Sequence, residues 1–398
     1  MDVRLASHLR ENPGARAAAR VIRQCVHCGF CNATCPTYQL LGDELDGPRG
    51  RIYQVREILE GVTPTPHMRL HLDRCLTCHA CETTCPSGVA YGVVADFGRE
   101  YLERHTRRPA GERLRRALVA WALPRRRLLA PLVGLARVAA PLLPAALRRT
   151  LPPRPRLPVR PGSADSARVL LHRGCVQPLL RPSIDRAAAW LLARSGHPSA
   201  PVQGCCGAIE FHLGRTGAAL RRMRANLDRW SPLLEGDEVT FVSTASGCAA
   251  FLKRYPTILA QDPHYAPRAR RLATRLRELA ALVDPPPLRP SSPVAFHAPC
   301  TLRHHLREHD RVMGLLRESG VTLVPTTNPH LCCGSAGTYS LFQPGIAAQL
   351  RARKLADLSG AGPRAILTAN IGCLAHLQAG TELPVLHWAE WLVMQADS

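Results

Sequence analysis

The chain has 398 residues, of which 46% are hydrophobic and 21% are charged. A chain of this length and composition folds into two or three globular domains, which excludes an intrinsically disordered protein. Its 16 cysteines do not indicate a small disulfide-rich secreted protein, because such proteins are short. No apolar segment follows the start, so we expect no secretory signal and reduced, metal-binding thiols in a protein of the cytoplasm.

The formal net charge is +22, and it comes almost wholly from arginine, since lysine occurs only at Lys253 and Lys354. A charge of this size favours an acidic partner, which means another subunit, anionic lipid or nucleic acid. The sequence contains no zinc finger, helix-turn-helix or RNA-binding motif, so we expect no nucleic-acid partner. Thiolate-bound clusters would also add negative charge that the formal count omits.

Two cysteine runs of identical spacing lie in the first hundred residues. They are CVHCGFCNATCP at 25–36 and CLTCHACETTCP at 75–86, and both read C-x2-C-x2-C-x3-C-P. This spacing is typical of proteins with two [4Fe–4S] clusters, in which three cysteines of a run bind one cluster and the fourth binds the other. Zinc, which also binds C-x2-C pairs, is the alternative, and two complete runs that each end in proline disfavour it.

The crossed arrangement assigns four ligands to each cluster. The predicted ligands are Cys25, Cys28, Cys31 and Cys85 for the first cluster, and Cys75, Cys78, Cys81 and Cys35 for the second. Between the runs, residues 42–61 predict a helix after a Gly-Pro-Arg-Gly turn. Arg49 and Arg51 of this segment either face a cluster and offset its charge or are simply solvated.

Residues 107–160 alternate short apolar stretches with arginine clusters and prolines. The longest uncharged runs, such as LLAPLVGLA between Arg127 and Arg137, are much shorter than the roughly eighteen residues of a membrane-spanning helix. This amphipathic segment, which carries Trp121, therefore lies either in a membrane interface or on the rest of the protein. A Pro-rich stretch follows at 152–161.

The carboxyl-terminal half contains an internal duplication. Each copy supplies four cysteines, which are Cys175, Cys205, Cys206 and Cys248 in the first and Cys300, Cys332, Cys333 and Cys373 in the second. Apolar β-rich runs precede these cysteines and helical patterns follow them, which is the pattern of an α/β domain. Because ligands of such domains gather at the carboxyl ends of the strands, we expect each copy to bring its cysteines together there.

These eight cysteines are candidates for an additional metal or redox centre, and the alternative is inert thiols that pack in the core. His172 and His297 each lie three residues before the first cysteine of a copy, and they are either ligands, proton relays or structural residues. Phe251 and His376 occupy the positions at which a C-x2-C pair would be completed. At least the first copy therefore lacks its last ligand.

The whole chain resembles the iron–sulfur subunits of bacterial glycolate oxidase (glycolate dehydrogenase). The resemblance rests on the stretches CVHCGFCNATCPTYQLLGDELDGPRGRIYQVREILEG, LDRCLTCHACETTCPSGVAYG, GCCGA, HAPC, CCGSAGTYS and TANIGC. The double-cysteine half is less specific, because it is also similar to subunits of anaerobic glycerol-3-phosphate dehydrogenase and heterodisulfide reductase.

The resemblance implies an electron-transfer subunit of an oxidoreductase complex. Flavoprotein subunits, which alone hold FAD, would oxidise glycolate or another 2-hydroxy acid, and this chain would pass the electrons through two [4Fe–4S] clusters towards a membrane quinone. Peripheral contact with the inner face of the membrane is expected. The alternative is a catalytic heterodisulfide or quinone reductase whose cluster lies in the double-cysteine half, although Phe251 and His376 disfavour it. No catalytic residue is assigned.

These features predict an α+β protein in four parts. A mainly helical, ferredoxin-like domain with two clusters is expected at 1–105, and an Arg/Pro-rich amphipathic linker at 106–165. Two duplicated α/β modules of the cysteine-rich CCG type are expected at 166–285 and 286–398.

Overall fold

The structure is a computed structural model that describes residues 1–142, 155, 167–236, 238–288 and 292–396. The chain divides into two compact units. The first comprises Met1–Ala117 and His330–Leu350, and the second comprises Leu118–Pro329 and Arg351–Ser398. The part of the predicted linker at 143–154 and 156–165 lies outside the described residues, and the four predicted domain boundaries stay predictions.

The first unit is built from helices. Their bounds are Ser7–Leu9 (a 3-10 turn), Pro13–Arg23, Phe30–Ala33, Pro36–Leu41, Glu44–Asp46 (3-10), Pro48–Leu59, Pro66–Asp73, Ala80–Thr84, Tyr91–His105 and Tyr339–Phe342, while Ala110–Ala122 and Pro344–Ser359 have residues in both units. Proline begins several of them, because its fixed φ suits the first helical turn and its missing N–H has no partner there. The helix predicted within 42–61 is thereby confirmed as Pro48–Leu59.

The core of the first unit lies where three of these helices pack together. Ile22, Ile58 and Leu102 belong to one buried apolar cluster. Helix Tyr91–His105 approaches its neighbours closely at Gly98, where a Cβ atom would lie 2.6 Å from the side chains of Leu72 and Val55. This packing supports the two cysteine runs, each of which forms a loop and a short helix between the longer helices.

The second unit contains two parallel four-stranded sheets. The strands are β1 (Val169–Arg173), β2 (Ser199–Gln203), β3 (Thr240–Val242), β4 (Leu276–Arg277), β5 (Val294–His297), β6 (Leu323–Val324), β7 (Ala365–Thr368) and β8 (Val385–His387). Their order is β2-β1-β3-β4 in one sheet and β6-β5-β7-β8 in the other. The second sheet therefore repeats the first strand for strand, as the internal duplication predicts.

Helices cover the strands of the second unit. Their bounds are Arg126–Val138, Gln177–Leu180, Ser183–Arg194, Ala208–His212, Thr216–Trp230, Ser246–Lys253, Tyr255–Ile258, Tyr265–Arg275, His309–Glu318, Ile371–Gln378 and Trp388–Ala396, with 3-10 turns at Ala140–Leu142, Pro232–Leu234 and Leu279–Ala281 and a π-helix at Thr301–Leu306. One apolar core runs through both modules and includes Val169, Leu191, Val294 and Trp388. The predicted α+β class is confirmed.

Helix length bears on the expectation that the chain does not cross a bilayer. Within the described ranges, no helix is both long enough and apolar enough to span a membrane.

Candidate iron–sulfur centre

The two cysteine runs fold alike. Each forms a tight loop that leads into a short helix, Phe30–Ala33 in the first run and Ala80–Thr84 in the second. Equivalent residues of the two loops have positive φ: His27 (60°) and Thr77 (51°), then Gly29 (86°) and His79 (60°). Such backbone turns several N–H groups towards one side and forms a concave site for anions, including iron–sulfur clusters. Left-handed backbone at non-glycine residues is strained, and it concentrates at functional sites.

The loops bring cysteines of both runs around two cavities. The first cavity is lined by Cys25, Cys28, Cys31, Cys81 and Cys85, and the second by Cys35, Cys75, Cys78 and Cys81. Each cavity thus includes three cysteines of one run and the fourth cysteine of the other, and Cys81 lines both cavities. The crossed assignment of ligands stays a prediction, and this lining is compatible with it.

A buried arginine lies beside the second cavity. The Arg51 side chain is buried, with Nη1 4.0 Å from Cys35 Sγ and Nη2 3.4 Å from Asp46 Oδ1. Arg49 instead forms a partly exposed ion pair with Glu44, with Nε 2.6 Å from Oε1. The sequence left open which of the two arginines faces a cluster site. Arg51 does so, because its buried charge lies close enough to stabilise thiolates of the second cavity.

The thiols have strongly different proton affinities in the absence of a metal. Burial raises the pKa of Cys31 to about 11, and the neighbouring Cys25 thiol adds to the increase. Burial also raises the pKa of Cys75, but the charges of Arg51 and Arg99 outweigh it and the net pKa is lowered. A set of crowded thiols holds several thiolates at neutral pH only when a cation offsets their repulsion. The all-sulfur donor set fits an iron–sulfur cluster.

Hydrogen bonds to the sulfurs complete the environment. Tyr91 Oη donates to Cys75 Sγ at 3.7 Å, and the backbone N–H of Thr77 donates to the same sulfur at 3.4 Å. The backbone N–H of Val89 donates to Cys85 Sγ at 3.4 Å. Such donors stabilise negative charge on the sulfurs, and in iron–sulfur proteins they raise the reduction potential.

Sequence reasoning missed the ion-pair network that holds Arg51 in place. Asp46 is fully buried and lies 2.7 Å from Arg74 Nη1 and 3.0 Å from His71 Nδ1, measured from its two carboxylate oxygens. These residues are far apart along the chain, and no spacing rule relates them. Only the position of Asp46 before the Gly-Pro-Arg-Gly turn could have drawn attention to it.

In the first cysteine-rich module, the carboxyl ends of β1, β2 and β3 bring four thiols together. Thiol–thiol hydrogen bonds join Cys175 to Cys205, Cys205 to Cys206 and Cys206 to Cys248. Cys205 accepts hydrogen bonds from Cys175 and Cys206, which hold the pKa of Cys205 well below its usual range. The same bonds raise the pKa values of the two donors, Cys175 and Cys206.

The departure from a complete cysteine set in this module has a structural counterpart. Phe251 is buried, and its ring packs against that of Phe211 with centroids 5.4 Å apart. An aromatic core contact thus occupies the position at which a further ligand would be needed.

The two equivalent histidines differ. His172 Nδ1 lies 3.1 Å from Ser243 Oγ and Nε2 lies 2.7 Å from the Gly204 carbonyl oxygen, so both nitrogens serve the fold. His297 Nδ1 lies 3.0 Å from Thr368 Oγ1, but its buried Nε2 has no hydrogen-bond partner in the described part of the chain. A ring nitrogen of His297 also lies within 4.8 Å of Cys373 Sγ. A purely structural role therefore fits His172 better than it fits His297.

The cysteines of the second module are divided between the compact units. Cys300 and Cys373 belong to the second unit, whereas Cys332 and Cys333 belong to the first. The convergence of all four stays a prediction.

Comparison with known proteins agrees with this geometry. Residues 21–89 match the family described as a 4Fe-4S dicluster domain, and residues 169–253 and 294–378 match the family described as a cysteine-rich domain. The chain is 44% identical over 408 residues to the glycolate oxidase iron-sulfur subunit of Escherichia coli (strain K12), a match that covers 100% of this chain and 99% of that protein.

Two further relatives are more distant. The probable glycolate oxidase iron-sulfur subunit of Bacillus subtilis (strain 168) is 28% identical over 396 residues, with 90% of this chain and 88% of that protein covered. Lactate utilization protein A of Geobacillus kaustophilus (strain HTA426) is 30% identical over 242 residues, with 56% of this chain and 98% of that protein covered.

Fold and site together define an iron–sulfur electron-transfer protein with a dicluster domain and two cysteine-rich domains. The chain belongs to the family of glycolate oxidase iron-sulfur subunits. The predictions of two [4Fe–4S] clusters, of a repeated cysteine-rich domain and of an electron-transfer role in an oxidoreductase complex are confirmed.

Proposed function

We propose that this chain accepts electrons from flavoprotein subunits that oxidise glycolate or a related 2-hydroxy acid, with FAD held on those subunits only. The observation that carries the proposal is the lining of the two cavities, each of which includes three cysteines of one run and the fourth of the other, with Cys81 lining both. A [4Fe–4S] cluster held in each cavity would supply a site for one electron at a time. The full-length match to a glycolate oxidase iron-sulfur subunit supports glycolate as the substrate of the complex.

The ligand sets proposed are those of the crossed arrangement. They are Cys25, Cys28, Cys31 and Cys85 for the first cluster and Cys75, Cys78, Cys81 and Cys35 for the second. When bound, the clusters supply sites that gain and lose single electrons. The protein's own groups hold the sulfurs in position, and the Arg51 charge stabilises negative charge that arrives at the second site.

The proposed acceptor of the electrons is a membrane quinone, reached through peripheral contact with the bilayer. Helix Arg126–Val138 has no buried residue, and Leu128, Leu132 and Leu135 are exposed at the spacing of one helical face. Trp121 is also exposed, and the Arg125 guanidinium lies 4.7 Å from its ring centroid. Exposed apolar side chains among arginines fit an anionic lipid interface.

Vesicle flotation tests this contact. The protein should float with vesicles that contain phosphatidylglycerol and much less with vesicles of phosphatidylcholine alone, because arginine recognises anionic lipid. Leu132→Glu with Leu135→Glu should abolish flotation and leave the iron content unchanged. Equal binding of the variant and the original chain would contradict the membrane contact.

Metal analysis and reconstitution test the electron-transfer proposal itself. Anaerobically purified protein should contain about eight irons per chain with matching acid-labile sulfide, and dithionite reduction should produce a spin-coupled paramagnetic resonance spectrum. The isolated chain should not oxidise glycolate, and the complex with flavoprotein subunits should. Stoichiometric zinc with little iron, or glycolate turnover by the isolated chain, would overturn the proposal.

The close grouping of the four free thiols in the first module favours a second candidate function. This function is a disulfide or quinone reductase centred on the double cysteines, with or without an additional metal. The residues concerned are Cys175, Cys205, Cys206, Cys248, Cys300, Cys332, Cys333 and Cys373. Cys205→Ser and Cys333→Ser separate the two functions. If both variants transfer electrons from glycolate at the normal rate, these cysteines take no part in the pathway, whereas loss of electron transfer with both cubanes intact would make this half a redox site.

A further inference from the structure

The two cysteine loops differ sharply in exposure although their spacing is identical. In the first loop Cys28 is exposed, and its equivalent in the second loop, Cys78, is buried. The apolar neighbours differ in the same way: Val26 is 68% exposed and Phe30 60%, whereas the equivalent residues Leu76 and Ala80 are 4% and 1% exposed. The first loop therefore faces solvent and the second does not.

Residues from the far end of the sequence lie near the second loop. Tyr339 belongs to the segment His330–Leu350 of the first unit and is buried. Its hydroxyl group lies within electrostatic range of Arg51, Cys75 and Cys332. The same segment is held by Arg115, whose Nη2 donates to the Leu341 carbonyl oxygen at 2.5 Å. A redox partner in solution therefore cannot reach the second cluster site as closely as the first.

Exposed apolar side chains beside a redox ligand have a specific use. Electron transfer between proteins requires close approach of the two redox groups, and such encounters use small interfaces, often below about 1,200 Å². Val26 and Phe30 flank the exposed Cys28 and would supply the apolar centre of such an interface. Arg49 lies against Gly29 of the same loop and forms an ion pair with Glu44, so the rim of this surface is polar, as the rims of protein interfaces are.

We propose that Val26 and Phe30 form the centre of the docking surface for the flavin-bearing subunit, so that electrons enter this chain at the first cluster. The inference rests on the proposed function, because it takes the electron donor to be a flavoprotein. The second cluster then receives its electron from the first, on the side of the unit that carries Tyr339 and Cys332.

The test uses the complex, purified anaerobically through an affinity tag on this chain. The variant is Val26→Glu with Phe30→Glu. The matched control is Val62→Glu with Leu70→Glu, which places two charges on exposed apolar residues of the same unit outside the cysteine loops. The measured quantities are the rate at which glycolate reduces the iron–sulfur clusters, the spectrum after dithionite reduction and the iron content.

We expect the docking variant to reduce its clusters with glycolate at least about tenfold more slowly or to lose the flavoprotein subunit during purification, because central interface residues carry most of the binding energy. Its dithionite-reduced spectrum and iron content should match those of the original chain. The control should stay within about twofold of the original rate, as expected for residues outside an interface.

Normal glycolate-driven reduction in the docking variant would overturn the proposal. If that variant loses iron, Val26→Ser with Phe30→Ala replaces it, and a normal rate with full iron would be equally decisive. If the original chain, with full iron and its flavoprotein, is not reduced by glycolate at all, the proposed function fails and the docking surface fails with it. The two failures are thus distinguished by the behaviour of the unaltered complex.

Discussion

The cysteines of the first unit and those of the first cysteine-rich module are held by two different kinds of scaffold. In the first unit, the eight cysteines of the two runs lie in tight loops and in the short helices that follow them, and a buried arginine and several N–H and O–H donors face some of their sulfurs. In the module, four cysteines lie beyond the carboxyl ends of parallel strands, Cys248 in the helix that follows β3, and the thiols influence one another's pKa values.

The two scaffolds surround their thiols with different groups. Loops of the first kind separate the thiols around a cavity, and outside groups stabilise their negative charge. In the module, interactions among the thiols lower the pKa of Cys205 and raise the pKa values of Cys175 and Cys206. The first arrangement suits [4Fe–4S] clusters, and a metal or redox centre in the second stays a prediction.

The largest expected effect follows from the loss of a cysteine that borders both cavities. Cys81→Ser should lower the iron content from about eight to about four per chain or less, because the second cluster loses a ligand. The spin coupling between the clusters should disappear with it. Cys205→Ser is the control from the module, and it should leave the iron content and spectrum of the two cubanes unchanged. Full iron in Cys81→Ser would contradict the ligand assignment.

The next effect concerns the buried charge beside the second cavity. Arg51→Met leaves Asp46 with less compensation in the interior and should lower the free energy of unfolding by about 3–5 kcal/mol. Arg49→Met removes only a partly exposed ion pair with Glu44 and should cost less than about 1 kcal/mol. Anaerobic urea denaturation of the two variants measures both values. Equal losses would show that the burial of Arg51 has no energetic consequence.

A pH-dependent effect is expected at the carboxyl end of β4. Burial raises the pKa of Glu278 to about 8, and the nearby Glu308 carboxylate adds to the shift. The group is protonated in the folded protein, so its contribution to stability is complete below the unfolded pKa of 4.5 and is lost as the pH rises through about 8.

Glu278→Gln removes this dependence. Relative to the original chain, the variant should gain about 3 kcal/mol in the free energy of unfolding between pH 6 and pH 9. Glu308→Gln should show a smaller gain in the free energy of unfolding over the same pH range, because it removes only the repulsion between the Glu308 and Glu278 carboxylates. The measurement is a series of urea denaturations across that range, and a constant difference between the chains would show that Glu278 does not titrate there.

The smallest effect concerns Tyr339. Its buried hydroxyl has no hydrogen-bond partner in the part of the chain that the structure describes. Tyr339→Phe should therefore raise the free energy of unfolding by about 1 kcal/mol, since an unsatisfied buried donor is removed. Tyr91→Phe is the contrasting variant, because it removes a donor to Cys75 Sγ and should lower the reduction potential of the second cluster. A less stable Tyr339→Phe protein would indicate a partner for that hydroxyl.

Much of the fold could be predicted because it depends on local patterns. The helix Pro48–Leu59 follows a turn signal and an apolar periodicity, and the two sheets follow from strand patterns that recur with the cysteines. The sequence did not predict that Cys332 and Cys333 belong to the first compact unit while Cys300 and Cys373 belong to the second. The assignment of a segment to a compact unit depends on its contacts with segments that are distant along the chain.

The sequence by itself determined that residues 21–89 form a dicluster domain, since the spacing of the eight cysteines in the two runs is typical of two [4Fe–4S] clusters. It could not distinguish Arg51 from Arg49, or one cysteine loop from the other. Those differences were decided by tertiary structure. Asp46 and His71 hold Arg51 inside the unit. The first cysteine loop is exposed to solvent, whereas the second cysteine loop is buried. Burial depends on which distant residues pack over a loop, and identical spacing carries no information about that.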